Sequence, residues 1–383
     1  MELNPIERRY RALVETGREV RKLYPANPND EGISFPGEVL SRCYTDYFRA
    51  QEYRPDPKGL RPAREAIATY YTEQGAAVDP ERILLTSGTS ESFFYLFSLL
   101  AEPSDNILTP TPSYPLFDEI ARLAHVQLKP YRLDEARAWA IDLDSVREAI
   151  NERTRAIVIV SPHNPTGMVA DVGTLRQIAA IANERGLPII CDEVFSEFYY
   201  GPGSFPRAIA VAQPDLCFTL NGISKMLALP AMKCSWIAMT GEPKRVAVAV
   251  DRLAHIADTF LSCHYPIQRA LPTILTRGKS FLESYRAEVA QRRATALEIL
   301  YTCPALRFHP PMGGFYLMAE VTKGRWQDEN DCICDLLTQH GLFPHPGYFY
   351  DHEQGIHLVL STMLEPNRIQ EGLTRLCAAV TSS

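Results

Sequence analysis

The chain has 383 residues, of which 46% are hydrophobic and 22% are charged, and its formal net charge is −7. This is an ordinary globular composition, and the length favours two domains or one large and one small domain. The negative charge argues against a nucleic acid partner, because binding to a phosphate backbone requires a basic surface.

The N-terminus and the cysteines bear on the compartment. The N-terminus is polar, and no window reaches the roughly 18 apolar residues needed to span a bilayer, so no membrane contact is expected. The nine cysteines are scattered, which is typical of reduced thiols in a cytoplasmic protein. Cys332 and Cys334 are close in sequence but lack a histidine pair at zinc-finger spacing, and no metal site is expected.

The first predicted element is a helix over residues 4–23, followed by an irregular Pro/Asn/Gly stretch and by a second helix over 59–74. Beyond these, short apolar runs alternate with helical segments. Strands are expected at 83–86, 106–109, 156–160, 188–191, 217–220 and 235–239, with helices at 93–100 and 174–185. This alternation predicts an α/β fold, in which a mainly parallel sheet is covered by helices on both faces.

The pattern changes after residue 275. A long charged helix is predicted first, and strands and shorter helices follow it, at 281–301, 314–319, 329–340, 356–360 and 366–380. These elements predict a smaller α+β domain. We therefore expect a large domain at 45–275 and a small domain in which an N-terminal arm, 1–44, packs with 276–383.

One polar segment, Ser87-Gly88-Thr89-Ser90, directly follows a predicted strand and opens a helix. In an open parallel sheet, ligands bind at the carboxyl ends of the strands, so such segments are expected to converge on one edge. The free amides of the helix start, its dipole and two hydroxyl groups favour an anion such as a phosphate group. A plain helix cap is the alternative.

Asn164, Asp192 and Lys225, in this order along the chain, also follow predicted strands. A buried Asp192 needs a cationic partner such as a protonated pyridine nitrogen, although it would equally cap a loop. The Lys225 amine becomes a covalent catalyst when it condenses with an aldehyde, most often that of pyridoxal phosphate (PLP). Tyr114, in a proline-rich turn, would stack on a flat cofactor or simply pack in the interior.

Together these segments resemble the fold-type I PLP enzymes of the class I/II aminotransferase family over nearly the whole chain. The most specific matches are Asn164-Pro-Thr-Gly167, Asp192-Glu-Val194, and Ser224-Lys225 followed by Leu229-Pro230. The resemblance implies PLP as the cofactor, with Lys225 as the Schiff-base lysine and proton shuttle. It also implies that Asp192 pairs with the pyridine nitrogen and that Asn164 donates to the ring hydroxyl.

The remaining cofactor contacts are likewise implied by the resemblance. Tyr114 would stack on the ring, while Gly88, Thr89 and Ser90 would hold the phosphate group. Tyr53 would reach the phosphate group of a neighbouring subunit, which implies a homodimer with active sites at the subunit interface.

The chain departs from the family pattern at four positions. Lys233 stands where the family usually has an arginine, and it would neutralise the phosphate group without a bidentate fork. Gly222 replaces a frequent serine, and Phe195 replaces a tyrosine. Val359 occupies the place of the arginine that clamps the α-carboxylate of the substrate, so an amino acid must be oriented by other means.

The expected reaction moves an amino group between an amino acid or amine and a keto acid or aldehyde, through a Schiff base at Lys225. Because Val359 removes the usual clamp, the substrate is expected to be atypical. Neither His357 nor Arg368, which lie nearby in sequence, is a persuasive replacement. Two alternatives stay open: a PLP-dependent lyase, decarboxylase or β/γ-elimination or replacement enzyme, and a binding protein that kept the fold.

Overall fold

The computed structural model describes residues 4–382 of the chain. Its α-helices are α1 (Pro5–Glu15), α2 (Gly37–Ala50), α3 (Arg61–Glu73), α4 (Thr89–Leu100), α5 (Leu116–Leu123), α6 (Leu143–Ala149), α7 (Val172–Glu184), α8 (Ala208–Val211), α9 (Ile223–Met226), α10 (Pro243–Phe260), α11 (Tyr265–Arg277), α12 (Lys279–Tyr301), α13 (Glu329–Asp335) and α14 (Pro366–Thr381). A π-helical turn, Leu336–His340, extends α13.

The strands are β1 (Arg21–Lys22), β2 (Ile83–Thr86), β3 (Asn106–Thr111), β4 (Gln127–Asp134), β5 (Ala140–Ile141), β6 (Thr154–Val160), β7 (Ile189–Asp192), β8 (Leu216–Gly222), β9 (Ser235–Gly241), β10 (Leu306–Phe308), β11 (Tyr316–Val321), β12 (Leu342–Phe343), β13 (His345–Pro346) and β14 (His357–Ser361). The predicted first helix is too long. It ends at Glu15, because Gly17 adopts a left-handed backbone conformation with φ 74°.

The largest sheet has eight strands in the order β2-β9-β8-β7-β6-β3-β4-β5. The five central strands, from β8 to β4, are parallel, whereas β9 runs antiparallel to both β2 and β8. Helices cover both faces, as strand β6 shows. Ala156 and Val158 pack into one apolar cluster, and Ile157 and Ile159 pack into another. The predicted α/β fold is confirmed.

A smaller sheet of four antiparallel strands has the order β10-β11-β14-β13. Helices α12, α13 and α14 pack against it and share a core with residues from β11 and β14. This arrangement confirms the expected smaller α+β unit. No helix within residues 4–382 combines the length and the apolar character that crossing a membrane requires.

The N-terminal arm contacts both parts of the molecule. Strand β1 pairs with β12, and α1 packs against α13, so the first part of the arm lies against the C-terminal unit. Helix α2, which crosses position 44, packs instead against α11. The division into 45–275 and 1–44 with 276–383 stays a prediction.

Candidate active site

Five of the residues singled out from the sequence line one cavity of about 180 Å³ at the carboxyl edge of the large sheet. They are Thr89, Tyr114, Asn164, Asp192 and Lys225. Each lies at the end of a strand or just after one, where the chain leaves the sheet. The topology of the parallel strands therefore brings together side chains that are far apart in sequence.

Lys225 lies in the short helix α9, just after β8, and its amine is almost enclosed. Its Nζ donates a hydrogen bond to the carbonyl oxygen of Ala26 at 3.2 Å and lies 5.9 Å from the centroid of the Phe195 ring. Burial disfavours the charged form and lowers the pKa of the amine to about 8. Far more of Lys225 is therefore neutral near pH 7 than of an exposed lysine, and a neutral amine is the nucleophilic form.

Asp192 is the last residue of β7 and is 8% exposed. Burial raises the pKa of its carboxyl group to about 7, although the backbone N–H of Val194 donates to Oδ1 at 3.0 Å and opposes this shift. A carboxylate in this position gains most from a cation placed in the cavity.

Asn164 and Tyr114 border the same space. Asn164 follows β6, and its buried Oδ1 has no hydrogen-bond partner within the described part of the chain. Since a half-turn of the amide exchanges its oxygen and its NH₂ group, the unpartnered position serves equally as a donor. Tyr114 is half-buried beyond the end of β3, and its ring meets that of Phe117 edge-on, with centroids 5.6 Å apart.

The first turn of α4 reaches the cavity through Thr89. Gly88 is the N-cap residue and makes no side-chain cap, so the first amides of the helix are free of that competitor. Ser90, in contrast, is exposed and does not line the cavity. Ser224 and Ser235 line it together with Thr89, and amides and hydroxyls of this kind suit a phosphate group.

Gly222 and Ser235 are direct partners in the β8–β9 pair, at the same cavity wall. A Cβ built on Gly222 would overlap the Ser235 hydroxyl oxygen and would lie 2.9 Å from both the Cys234 carbonyl oxygen and Ser235 Cα. A side chain at position 222 is therefore excluded by its neighbour, which places its own hydroxyl at the same wall.

Like Ser90, two further predicted residues are not brought into the cavity of the single chain. Lys233 is exposed, with a left-handed backbone conformation at φ 51°. Tyr53 is 62% exposed, and its ring lies 5.5 Å from that of Tyr265. Neither side chain lines the cavity around Lys225.

The sequence profile described as Aminotransferase class I and II matches residues 49–376, which is most of the chain. The chain belongs to this family. It is therefore an aminotransferase-family enzyme, a PLP-dependent transferase.

Individual relatives agree with this assignment. The glutamate-pyruvate aminotransferase AlaA of Haemophilus influenzae is 28% identical over 378 residues, covering 97% of this chain and 93% of the relative. The alanine aminotransferase of Mycobacterium tuberculosis is 25% identical, covering 97% and 88%. An aminotransferase structure from Escherichia coli has a TM-score of 0.90 at 27% identity, covering 99% and 95%. An alanine aminotransferase from Pyrococcus furiosus shares the fold, with a TM-score of 0.92 at 24% identity, covering 99% of this chain and 96% of that one.

The cavity of this aminotransferase fits PLP on three observations. Asp192 has a buried carboxyl group with no cationic partner among the described residues, the half-buried Lys225 has an amine, and Asn164 has an unpartnered amide oxygen; all three line one space. These groups match a ring nitrogen, an aldehyde and a ring hydroxyl. The hydroxyl-lined end at Thr89 and Ser235 matches a phosphate group.

Sequence reasoning missed two residues of the aminotransferase cavity. The sequence pattern places Ser235 in a strand but indicates no role for it, because its position opposite Gly222 depends on the register of β8 and β9. Tyr316 comes from β11 of the small sheet, and its half-buried ring faces Phe195 across 6.5 Å. The alternation of side chains along β11 could have indicated that Tyr316 points inward, but not which cavity it lines.

Val359 is fully buried in β14 and belongs to an apolar cluster with Tyr350 and Met318. The two cationic neighbours considered from the sequence are occupied elsewhere. His357 Nε2 lies 3.1 Å from Glu135 Oε1, and Arg368 forms an ion pair with Glu31 at 2.6 Å. Neither lines the cavity that holds Lys225.

Proposed function

We propose that the enzyme transfers an amino group between an amino acid or amine and a keto acid or aldehyde, through a Schiff base between Lys225 and PLP. The observation that carries this proposal is that the half-buried Lys225 and the buried Asp192 line one cavity, with a lowered pKa for the amine and a raised pKa for the carboxyl group. A cytoplasmic location fits the nine cysteines, which are all free.

When bound, PLP supplies the electron sink for bond breaking at the carbon that bears the amino group. Asp192 holds the ring nitrogen in its protonated form, and Asn164 fixes the ring hydroxyl. Tyr114 orients the ring by stacking. Lys225 binds the aldehyde and afterwards, as a free amine with a lowered pKa, moves the proton at the α-carbon of the substrate.

The phosphate group is proposed to be held by the first turn of α4, through Gly88, Thr89 and the backbone amide of Ser90, whose side chain is exposed. We add Ser235 to this set, since its hydroxyl lines the cavity at the wall where Gly222 leaves no side chain. Lys233 contributes as a positive charge rather than as a direct ligand, because it is exposed in the chain.

The active enzyme is proposed to be a homodimer in which Tyr53 reaches the phosphate group in the site of the second subunit. Its 62% exposure leaves the phenol free for such a contact. Co-purified heterodimers of Lys225→Ala and Tyr53→Ala chains test this arrangement, because one of their two sites is then intact. We expect about half the activity of the wild-type dimer. No recovery above either parent homodimer would contradict the shared site.

The substrate is proposed to be atypical, because Val359 takes the place of the arginine clamp and lies buried among apolar side chains. An amino compound without a free α-carboxylate, or one oriented through its side chain, fits such a site. The absence of the arginine clamp also favours a second candidate, a PLP-dependent lyase, decarboxylase or β/γ-elimination or replacement enzyme. Enzymes of these kinds also act on amino compounds.

The decisive experiment mixes the purified holoenzyme with single amines and amino acids, in the absence of any keto acid. A transferase should lose the visible absorption band of its cofactor and release one keto product per site. Catalytic release of ammonia, CO₂ or a thiol without that loss would establish the second candidate instead. Lys225→Ala should abolish both reactions, and full activity in that variant would refute the site.

A further inference from the structure

A second cavity, of about 1040 Å³, lies between the two sheets. Strand β4 and the turn after it form one wall, and the segments after β10 and before β14 form the other. Arg132, Glu135, Arg307, His309 and His352 are among its polar lining residues. Within the described residues, it shares no lining residue with the cavity around Lys225, so it is a separate site.

Three potential metal ligands meet beside this cavity, and two of them, Glu135 and His352, line it. Glu135, His352 and His357 each offer one ligand atom, and these atoms lie within 4.8 Å of one another. The Glu135 Oε1 to His357 Nε2 distance is 3.1 Å. The rings of His352 and His357 stand nearly perpendicular, with centroids 4.4 Å apart. The cluster joins residues from the two sheets, since Glu135 follows β4 and His357 begins β14.

The two imidazoles lack the partners that buried polar groups normally have. His352 Nε2 and His357 Nδ1 are both buried, and neither has a hydrogen-bond partner in the part of the chain that the structure describes. The His357 residue as a whole is only 2% exposed. Leaving such atoms unsatisfied is costly, and imidazole nitrogen is the commonest metal ligand in proteins. A metal beside Glu135 would satisfy His352 Nε2, whereas His357 would bind it through Nε2, the nitrogen that faces Glu135.

We propose that Glu135, His352 and His357 form a binding site for a divalent transition metal, with zinc as the best fit. Zinc takes histidine nitrogen and carboxylate oxygen at about 2.0–2.2 Å in a tetrahedron, which places ligand atoms roughly 3.3 Å apart. The pair formed by Glu135 and His357 already has this spacing. Calcium and magnesium fit less well, because they prefer all-oxygen sites. Since Glu135 and His352 border the cavity, water has access to a fourth ligand position.

Such a metal would tie the small sheet to the large one. The loop that carries His352 also holds the segment just before Tyr114, because the Ser113 N–H donates to the Tyr350 carbonyl at 2.7 Å. Thr111 Oγ1 donates to the Asp351 carbonyl at 3.0 Å. No sequence motif indicates this site, since Glu135 and His357 are 222 positions apart.

The test is zinc binding to the chelator-treated holoenzyme, followed by calorimetry and by metal analysis after dialysis. Wild type should bind one zinc per chain, and Glu135→Gln and His352→Ala should each bind at least tenfold more weakly. His309→Ala is the matched control, since it removes a histidine from the same cavity outside the cluster. It should bind as wild type does.

Cobalt substitution identifies the type of ligand in the unaltered chain, so this readout does not depend on how well a variant folds. Cobalt in the wild-type protein should show tetrahedral d–d bands without a thiolate charge-transfer band. A partly exposed cysteine such as Cys43 would produce that thiolate band if it bound the metal instead. No stoichiometric binding, a thiolate spectrum, or unchanged affinity in His352→Ala would overturn the proposal.

Discussion

Replacing Ser235 by alanine tests whether this hydroxyl binds the phosphate group of PLP. The side chain lines the cavity at the wall where Gly222 leaves no side chain, and alanine removes the oxygen without enlarging any residue. A hydrogen bond to a charged group contributes about 1.5–3 kcal/mol, so the affinity of the apo protein for PLP should fall roughly 10- to 150-fold.

The assay is a titration of apo protein with PLP and, in parallel, with pyridoxal, which lacks the phosphate group. Ser235→Ala should weaken the first ligand and leave the second nearly unchanged. Thr240→Val removes a hydroxyl from the far end of the same strand, outside the cavity, and should alter neither. Equal losses for PLP and pyridoxal would show that Ser235 acts only through the structure, and a change below twofold would refute its role.

Gly222→Ser sharpens the same test, because it restores the residue that the family often has. The added Cβ would overlap the Ser235 hydroxyl and crowd the Cys234 carbonyl at 2.9 Å, so we expect weaker PLP binding. Removing the overlap in a Gly222→Ser, Ser235→Gly double variant should recover part of the loss. Tighter PLP binding by the single variant Gly222→Ser would contradict the inference that a side chain is excluded at position 222.

Three further predictions concern Lys225, Asp192 and Val359. The rate at which apo protein combines with PLP should rise with pH to about 8 and then level off, because the neutral Lys225 amine attacks the aldehyde. A rate that keeps rising towards pH 10 would contradict the lowered pKa of Lys225. Folding raises the pKa of Asp192 from 3.8 to about 7, so its protonated form is favoured and the apo protein should lose stability relative to Asp192→Asn as the pH rises through this range. Urea unfolding of both proteins across this pH range measures the difference in stability. Parallel curves of the free energy of unfolding against pH would refute the prediction. Val359→Arg should lower the free energy of unfolding in urea by about 3–5 kcal/mol, because it would bury an unpaired guanidinium in an apolar cluster, whereas Val359→Met should cost less than about 1.5 kcal/mol. Equal losses in the two variants would contradict the apolar burial of position 359.

The parts of the fold and site that could be predicted depend on local signals. Buried parallel strands appear as apolar runs, and the side chains after them meet at one edge whatever the details of packing. This is why Asn164, Asp192 and Lys225 could be placed together from the sequence, and the structure shows them around one cavity. The roles assigned to them rest on the resemblance and stay predictions.

Features that depend on register or on long-range packing could not be predicted. The contact of Gly222 with Ser235 requires the antiparallel pairing of β8 and β9, which no local pattern specifies. Glu135 and His357 meet only because the small sheet packs beside the end of β4. Tyr53 and Lys233 lie outside the cavity of one chain, and their predicted contacts depend on a second subunit or on a different arrangement of an exposed side chain.

The departures from the family pattern at positions 222 and 359 therefore differ in whether a neighbouring residue compensates for them. At position 222, we propose that the hydroxyl of Ser235 on the facing strand takes over the phosphate contact of the serine that the family pattern has there. At position 359, where we propose that valine replaces the arginine clamp, there is no such counterpart among the two nearby cations considered, because His357 is paired with Glu135 and Arg368 with Glu31. A site that keeps its cofactor contacts while losing its carboxylate clamp is expected to bind PLP normally and to select a different class of amino compound.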